Sequence, residues 1–324
     1  MHFINSIAEA IGNTPLLKLS RIKLPPGHNI FAKCEFLNPG GSVKDRIGFH
    51  MVECAEREGK LTKGQLIVEA TGGNTGIGLA MAANLKGYKL LCVMTEKVGK
   101  KKVGLMKVLG AETLVVPGGK AIDDEEHYIN KAKRLAKERG GWFSGQFENA
   151  HNIEAHYKTT GPELWEQTGG RIDALVAGIG TGGTLCGAGK YLKEKNPNVH
   201  LVLADPRGSL LSGWQAKTEK EPAPYLVEGI GGDFIPEIVD LSLIDKSIEI
   251  SDQRAIEITH QLARKESVFV GGSSGCIVAA AIQYCVESGK EGLNVVAVLP
   301  STGHLYTDTV FDAEWLKPRN MPLD

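Results

Sequence analysis

The chain alternates short apolar runs with longer stretches of helical periodicity. Leu66-Ile67-Val68 leads through a Gly-rich turn into an apolar, Ala-rich stretch from Thr75 to Leu85. Leu90 to Met94 follows, then a basic, helix-like stretch ending at Gly110. Thr113 to Val116 reads as a strand and Glu125 to Glu138 as a charged amphipathic helix. The second half repeats the rhythm: Ala174 to Ala177, a Gly-rich turn, a helix to Leu192, and a strand over His200 to Ala204. Asp252 to Lys265 reads as a helix with Ser251 as its N-cap. Val268 to Val270 reads as a strand that leads through another Gly-rich turn into a helix to Val286, and Val295 to Leu299 as a last strand. β-Branched runs alternating with helices predict an α/β fold of mostly parallel sheets covered on both faces. Ligands in such folds bind beyond the carboxyl ends of the strands, so the strand–turn–helix junctions are where chemistry is sought.

A length of 324 residues exceeds what one core usually fills and predicts two domains. The formal net charge of −1 removes any general attraction to nucleic acid or to an anionic membrane. Glycine is abundant, at 40 residues, which calls for tight turns or close backbone–ligand approaches. Cys34, Cys54, Cys92, Cys186, Cys276 and Cys285 form no C-x-x-C pair, and several lie in apolar runs. They read as buried thiols in a reducing compartment, with no structural zinc site, no disulfide framework and no metal expected. Neither a signal peptide nor an apolar run near the ~20 residues of a membrane span is visible, so a cytoplasmic protein is expected.

Three junctions stand out. Gly178-Ile179-Gly180-Thr181-Gly182-Gly183-Thr184 offers consecutive backbone N–H groups at a helix start, an anion cradle sized for one phosphate or a turn that merely needs glycine. It lacks the G-K-[ST] ending of a P-loop and the spacing of a dinucleotide fingerprint. Glu69-Ala70-Thr71-Gly72-Gly73-Asn74-Thr75-Gly76 also offers N–H groups and hydroxyls, as a capping loop or as a second anion site. Two such loops suit a ligand with two anionic ends. Gly271-Gly272-Ser273-Ser274-Gly275 is weaker evidence by itself. Finally, Asn38-Pro39-Gly40-Gly41-Ser42-Val43-Lys44-Asp45-Arg46 places one lysine near a helix start, where burial would lower its pKa and allow a Schiff base.

On these residues the chain resembles the fold-type II pyridoxal-phosphate (PLP) enzymes, in the cysteine synthase and cystathionine β-synthase group. Ile11-Gly12-Asn13-Thr14-Pro15-Leu16 is similar to the opening signature, Gly41 to Arg46 to the lysine motif, and Thr71–Gly76, Gly180–Thr184 and Gly272–Gly275 to the remaining three, in order. The resemblance implies two domains, each a mostly parallel sheet flanked by helices: 42–150 as a smaller, mobile domain, and 1–41 with 151–324 as the larger, phosphate-binding one. It implies that Lys44 forms the Schiff base and shuttles the Cα proton, and that Gly180, Thr181, Gly182, Gly183 and Thr184 hold the phosphate. Asn74 would meet the 3′-oxygen and Ser273 the pyridine nitrogen. Thr71, Gly72, Gly73 and Thr75, with Gln146, would receive the substrate carboxylate, and Gly229 would line the pocket. A hydroxyl at Ser273 makes the ring a weaker electron sink than a carboxylate would, which favours prompt loss of a β-substituent and an aminoacrylate over a long-lived carbanion.

Val227-Glu228-Gly229-Ile230-Gly231-Gly232-Asp233-Phe234-Ile235-Pro236 looks more like cystathionine β-synthase, and Asp233 would act on a hydroxyl leaving group or activate water and thiols. Leu299-Pro300-Ser301-Thr302-Gly303 looks more like a plain cysteine synthase. Two departures from the family pattern matter. Gly72 stands where the substrate loop normally carries serine, and Val98-Gly99-Lys100-Lys101-Lys102 replaces a Met-Ser-x-Glu segment. The expected reaction is β-replacement on serine, O-acetylserine or cysteine with a thiol or sulfide. The alternatives are a cysteine β-lyase that releases hydrogen sulfide with Asp233 activating water, and an inactive regulatory homologue. A homodimer with a small amino acid as substrate is expected, with neither nucleic acid nor membrane as partner.

Overall fold

A computed structural model describes residues 3–321. Its strands are β1 (Leu16–Lys18), β2 (Asn29–Lys33), β3 (Leu66–Ala70), β4 (Lys89–Thr95), β5 (Glu112–Val116), β6 (Trp142–Phe143), β7 (Ala174–Ala177), β8 (His200–Pro206), β9 (Lys246–Ile250) and β10 (Asn294–Val298). The α-helices are α1 (Lys44–Arg57), α2 (Asn74–Lys86), α3 (Lys100–Val108), α4 (Tyr128–Glu138), α5 (Ala150–Lys158), α6 (Thr160–Gln167), α7 (Gly183–Lys195), α8 (Leu211–Ala216), α9 (Asp252–Glu266), α10 (Gly272–Glu287) and α11 (Ala313–Leu316). The chain divides into two compact units. One holds residues 38–155 with the segment ending at Ile11, and the other holds Gly12–Leu37 with the chain from His156 onward.

The smaller unit is built on a four-stranded sheet in the order β5-β4-β3-β6, parallel throughout. Ile67 and Val68 on β3 and Leu91, Cys92 and Val93 on β4 are fully buried, as expected of strands covered on both faces. Helices α1 and α2 meet backbone to backbone. A Cβ at Gly48 would lie 2.5 Å from the carbonyl carbon of Gly78, and one at Gly78 would lie 2.6 Å from the carbonyl oxygen of Lys44. Only glycine allows that approach, and it sets the first turn of α1 against α2.

The larger unit has a six-stranded sheet in the order β1-β2-β10-β7-β8-β9. All its pairs are parallel except β1 with β2. Strand β2 brings Ile30 opposite Val295 and Ala32 opposite Ala297, so an early segment of chain completes a sheet made by late ones. One face of the sheet packs on α9 and α10 through Ile258, Leu262, Ile277 and Ala281, and the other on α6 and α7 through Leu164, Leu185 and Leu192. Helix α10 is apolar nearly all round because it is buried nearly all round.

Most anticipated elements are present, and Ser251 does cap α9 by accepting from the amide of Arg254. Two expectations are corrected. Val268–Val270 is not a strand, because Val270 makes a single bridge to Thr302. The amides of Gly271 and Gly303 bond to the carbonyls of Ser301 and Phe269, so a loop takes the partners that a ladder would have used. The helix expected from Glu125 begins at Tyr128, since Asp124 accepts from the amide of Glu126 and closes a turn there.

Candidate active site

In the smaller unit, Lys44 is the first residue of α1. Ser42 Oγ accepts from its amide at 3.2 Å, and the Asp45 carboxylate accepts from the Gly40 amide at 2.5 Å, so the Gly-rich approach is tied at both ends. Burial brings the Lys44 amine down to about 8, against the opposing pull of Glu69. Relative to the ordinary lysine value of 10.5, that gives roughly 300-fold more neutral amine at pH 7, the form that adds to an aldehyde. Glu69, buried at the end of β3, is itself pushed up to about 7 by burial. Its Oε2 accepts from Ser144 Oγ at 2.6 Å and from the Gln146 amide at 3.3 Å.

Strand β3 runs into the loop that starts α2. Gly73 takes φ +125° as the N-cap, and a Cβ there would lie 2.6 Å from Cδ of Lys102. Thr71 Oγ1 accepts from the amides of Gly73 and Gly76 at 2.9 and 3.3 Å. Thr75 Oγ1 donates to Gln146 Oε1 at 2.5 Å, while Gln146 Nε2 donates to the Ala70 carbonyl at 2.7 Å. Asn152 Nδ2 in turn donates to the Gln146 carbonyl at 2.8 Å. Thr71, Gly73, Thr75 and Gln146 are thus brought together. Gly72 is the exposed member, and a Cβ there would meet nothing within 4 Å. Asn74 Oδ1 is buried without a hydrogen-bond partner, as suits a side chain that waits for a ligand atom. The lysine triplet splits: Lys100 and Lys101 are exposed, whereas Lys102 is buried with its stem against Gly73.

In the larger unit, β7 runs into Gly178–Gly182 and then α7, a helix of 13 residues. Gly182 is its N-cap at φ +91°, where a Cβ would overlap Val239 Cγ2 at 2.2 Å. The N-cap glycine offers no side-chain cap, and the Gly183 amide makes only a long contact to Thr181 Oγ1 at 3.5 Å, so the first-turn amides and the positive end of the helix dipole form an anion cradle. Gly229 lies beside this cradle, its carbonyl 2.4 Å from where a Gly180 Cβ would sit. His156 is buried and bridges Thr160 Oγ1 at 2.9 Å and Thr184 Oγ1 at 3.3 Å, which orients the last cradle residue. Ser273 is buried in the first turn of α10, and Asp233 is exposed on the loop that follows Gly229.

Three contributors were not assigned a role from the sequence. Glu69 on β3 accepts from the Gln146 amide and is itself held by Ser144, just past β6, while His156 braces Thr184 from another helix. A buried acid at the end of an apolar run, as in Leu66-Ile67-Val68-Glu69, is the one local signal for the first; the others depend on distant pairing.

The family model described as "Pyridoxal-phosphate dependent enzyme" matches residues 7–301. A cysteine synthase of Staphylococcus aureus is 44% identical over 308 residues, 94% of this chain and 96% of its own. The O-acetylserine-dependent cystathionine β-synthase of Helicobacter pylori superposes with a TM-score of 0.87 at 37% identity, over 95% of this chain and 99% of its own. A hydrogen sulfide-producing enzyme of Fusobacterium nucleatum does so with a TM-score of 0.86 at 36% identity, over 94% of this chain and 98% of its own.

Proposed function

Because the chain belongs to the pyridoxal-phosphate-dependent enzyme family, in its cysteine synthase and cystathionine β-synthase group, we propose that it performs β-replacement on serine, O-acetylserine or cysteine, with sulfide or a thiol as nucleophile. The observation that carries this reading is the amine of Lys44, lowered to about 8 in the same unit as the Thr71–Thr75 loop and Gln146. Asn74's buried, unpartnered oxygen and the glycine-capped first turn of α7 fit a ring hydroxyl and a phosphate respectively.

When bound, the cofactor withdraws electrons from the amino-acid α-carbon so that the β-substituent can leave. Lys44 attaches it and moves the Cα proton. Gly180, Thr181, Gly182, Gly183 and Thr184 hold its phosphate through amides and hydroxyls. Ser273, with a neutral hydroxyl, leaves the pyridine nitrogen without an ionic partner. Thr71, Gly73, Thr75 and Gln146 orient the substrate carboxylate, with Gly72 leaving room beside it, and Gly229 lines the pocket. The working form is a homodimer in the cytoplasm; among the described residues no helix is long and apolar enough to cross a membrane.

The test is to supply serine, O-acetylserine or cysteine with sulfide or homocysteine and to identify the products by mass spectrometry. Cysteine or cystathionine is expected from at least one pair. If no donor loses its β-group in cofactor-loaded protein, the reading fails.

The likeness to the Fusobacterium enzyme favours a second reading, sulfide release from cysteine with water as the nucleophile and Asp233 as the activating base. Sulfide formed from cysteine alone, slowed in Asp233→Asn with cofactor binding intact, is the expected result. Unchanged kinetics in Asp233→Asn would remove that residue from the chemistry.

A further inference from the structure

Outside the Lys44 site, the smaller unit gathers a second set of reactive side chains. Helix α1 carries His50 and Cys54 four residues apart, and α5 carries His151 and Glu154 three apart, so each pair shares a helix face. The two faces meet. One donor atom from each of the four residues falls within 4.8 Å of all the others. His50 Nε2 is 3.5 Å from Cys54 Sγ and 3.3 Å from Glu154 Oε2. Cys54 Sγ is 3.9 Å from Glu154 Oε2, which is 2.5 Å from His151 Nδ1.

We propose that these four side chains form a binding site for a divalent transition-metal ion of the zinc class. Ligands at 2.0–2.3 Å from a tetrahedral ion stand about 3.3–3.8 Å from one another. The spacings above run from 2.5 to 3.9 Å and every pair lies within 4.8 Å, so the His151–Glu154 pair must open by about 1 Å and the widest pair must close by a similar amount. Two imidazoles, a thiol and a carboxylate are a borderline-soft set that suits zinc or cobalt and does not suit magnesium or calcium. The donors are also oriented from outside. His151 Nε2 meets Glu58 Oε1 at 2.7 Å, which leaves Nδ1 directed inward, the arrangement in which a carboxylate fixes the tautomer of a metal-bound histidine. Cys54 is buried, while His50, His151 and Glu154 keep 20%, 22% and 28% side-chain exposure, so an ion can enter from solvent. Arg57 competes: its Nη2 donates to Cys54 Sγ at 3.1 Å. Arg57 is exposed, and its guanidinium can turn into water when an ion arrives.

With four protein donors the coordination shell is closed, so the role is structural or regulatory. The ion would clasp α1, whose first residue is Lys44, to α5, whose Asn152 holds the carbonyl of Gln146. The sequence reading expected no metal because its donors come from two helices about 100 residues apart, as Cys54 and Glu154 are.

The test uses the cofactor-loaded protein, stripped with a chelator and titrated with Co²⁺, each spectrum read against the same protein without metal. One equivalent should bind, with tetrahedral d–d bands and a sulfur-to-cobalt charge-transfer band, and Zn²⁺ should displace it. Cys54→Ser should lose the charge-transfer band. Glu58→Gln should weaken binding about 10- to 100-fold, and Arg57→Ala should tighten it. Zn²⁺ should raise the melting temperature of the parent protein and not that of His151→Ala, a partly exposed position where the substitution spares the fold. A weak octahedral spectrum without sulfur character, or a tetrahedral one unchanged in His151→Ala, would overturn the proposal.

Discussion

Thr75 and Gln146 stand 71 residues apart in the chain, and the hydroxyl of one donates to the amide oxygen of the other at 2.5 Å. Gln146 also holds the Ala70 carbonyl, so a single side chain ties both flanks of the loop between β3 and α2. Gln146→Leu leaves a buried hydroxyl and a buried carbonyl without partners, at ~1–3 kcal/mol. The expected outcome is a KM for the amino-acid substrate raised at least about fivefold, from ~1.4 kcal/mol per tenfold, with the cofactor's absorbance unchanged. Steady-state kinetics and a spectrum of the same sample check both.

Neighbouring glycines of that loop should respond in opposite ways. Gly72 is exposed with open space where a Cβ would go, so Gly72→Ser is expected to fold normally. If the new hydroxyl reaches the carboxylate it tightens binding by ~1 kcal/mol, about fivefold in KM. Gly73→Ala must adopt φ +125° and intrude on the stem of Lys102, so it should lose the loop and nearly all turnover. Comparing kcat/KM of the two variants decides whether the loop has the shape described.

The amine of Lys44 sets a pH dependence. A lysine lowered from 10.5 to about 8 becomes neutral, and so able to attach an aldehyde, as pH rises through 8 rather than through 10.5. Uptake of pyridoxal phosphate by the apoprotein should accelerate with pH and level off above about 8. Its sign follows from the free amine being the reactive form. Between these two values Lys44 by itself contributes stability that rises with pH, while the buried thiols of Cys34, Cys92, Cys276 and Cys285, pushed up by burial, contribute the opposite slope. Glu69→Gln removes a nearby charge that favours protonated Lys44, and should move the uptake midpoint lower. Lys44→Ala should abolish both the covalent attachment and turnover.

The α7 cradle offers a separate test. Gly182→Ala combines a left-handed φ of +91°, costing ~1–2 kcal/mol, with an overlap on Val239. The expected result is cofactor affinity reduced at least tenfold while the smaller unit's loop is untouched. Equilibrium dialysis against the cofactor measures it, and Val239→Ala should relieve the overlap without relieving the backbone strain.

What the sequence made legible was local. Lys44 opens a helix behind a Gly-rich turn, and the Thr71–Thr75 loop and Gly180–Thr184 each lie on one strand–turn–helix junction, where the order of residues is also the order in space. Gln146 was anticipated through family resemblance, but its braces were not. Ser144 reaches Glu69 across a strand pairing, and His156 reaches Thr184 across 28 residues. The short strands β1, β2 and β9 were passed over for the same reason, since a run of three to five residues becomes a strand only when its neighbour in the sheet is known. Val268–Val270 shows the converse, an apolar run of strand composition whose backbone partners are taken by a loop.

The pairing of β2 with β10 also has a consequence for synthesis on the ribosome. Asn29 and Asn294, which face one another at the edge of that pairing, are 265 residues apart. At about 5–20 residues per second, strand β2 waits on the order of ten to fifty seconds for its partner to be made. The sheet of β3 to β6 needs nothing beyond residue 143 and can close during that wait. The nascent chain therefore carries the β1–β2 pair with one edge of β2 open until translation is nearly over, and that interval is when chaperone contact would matter most.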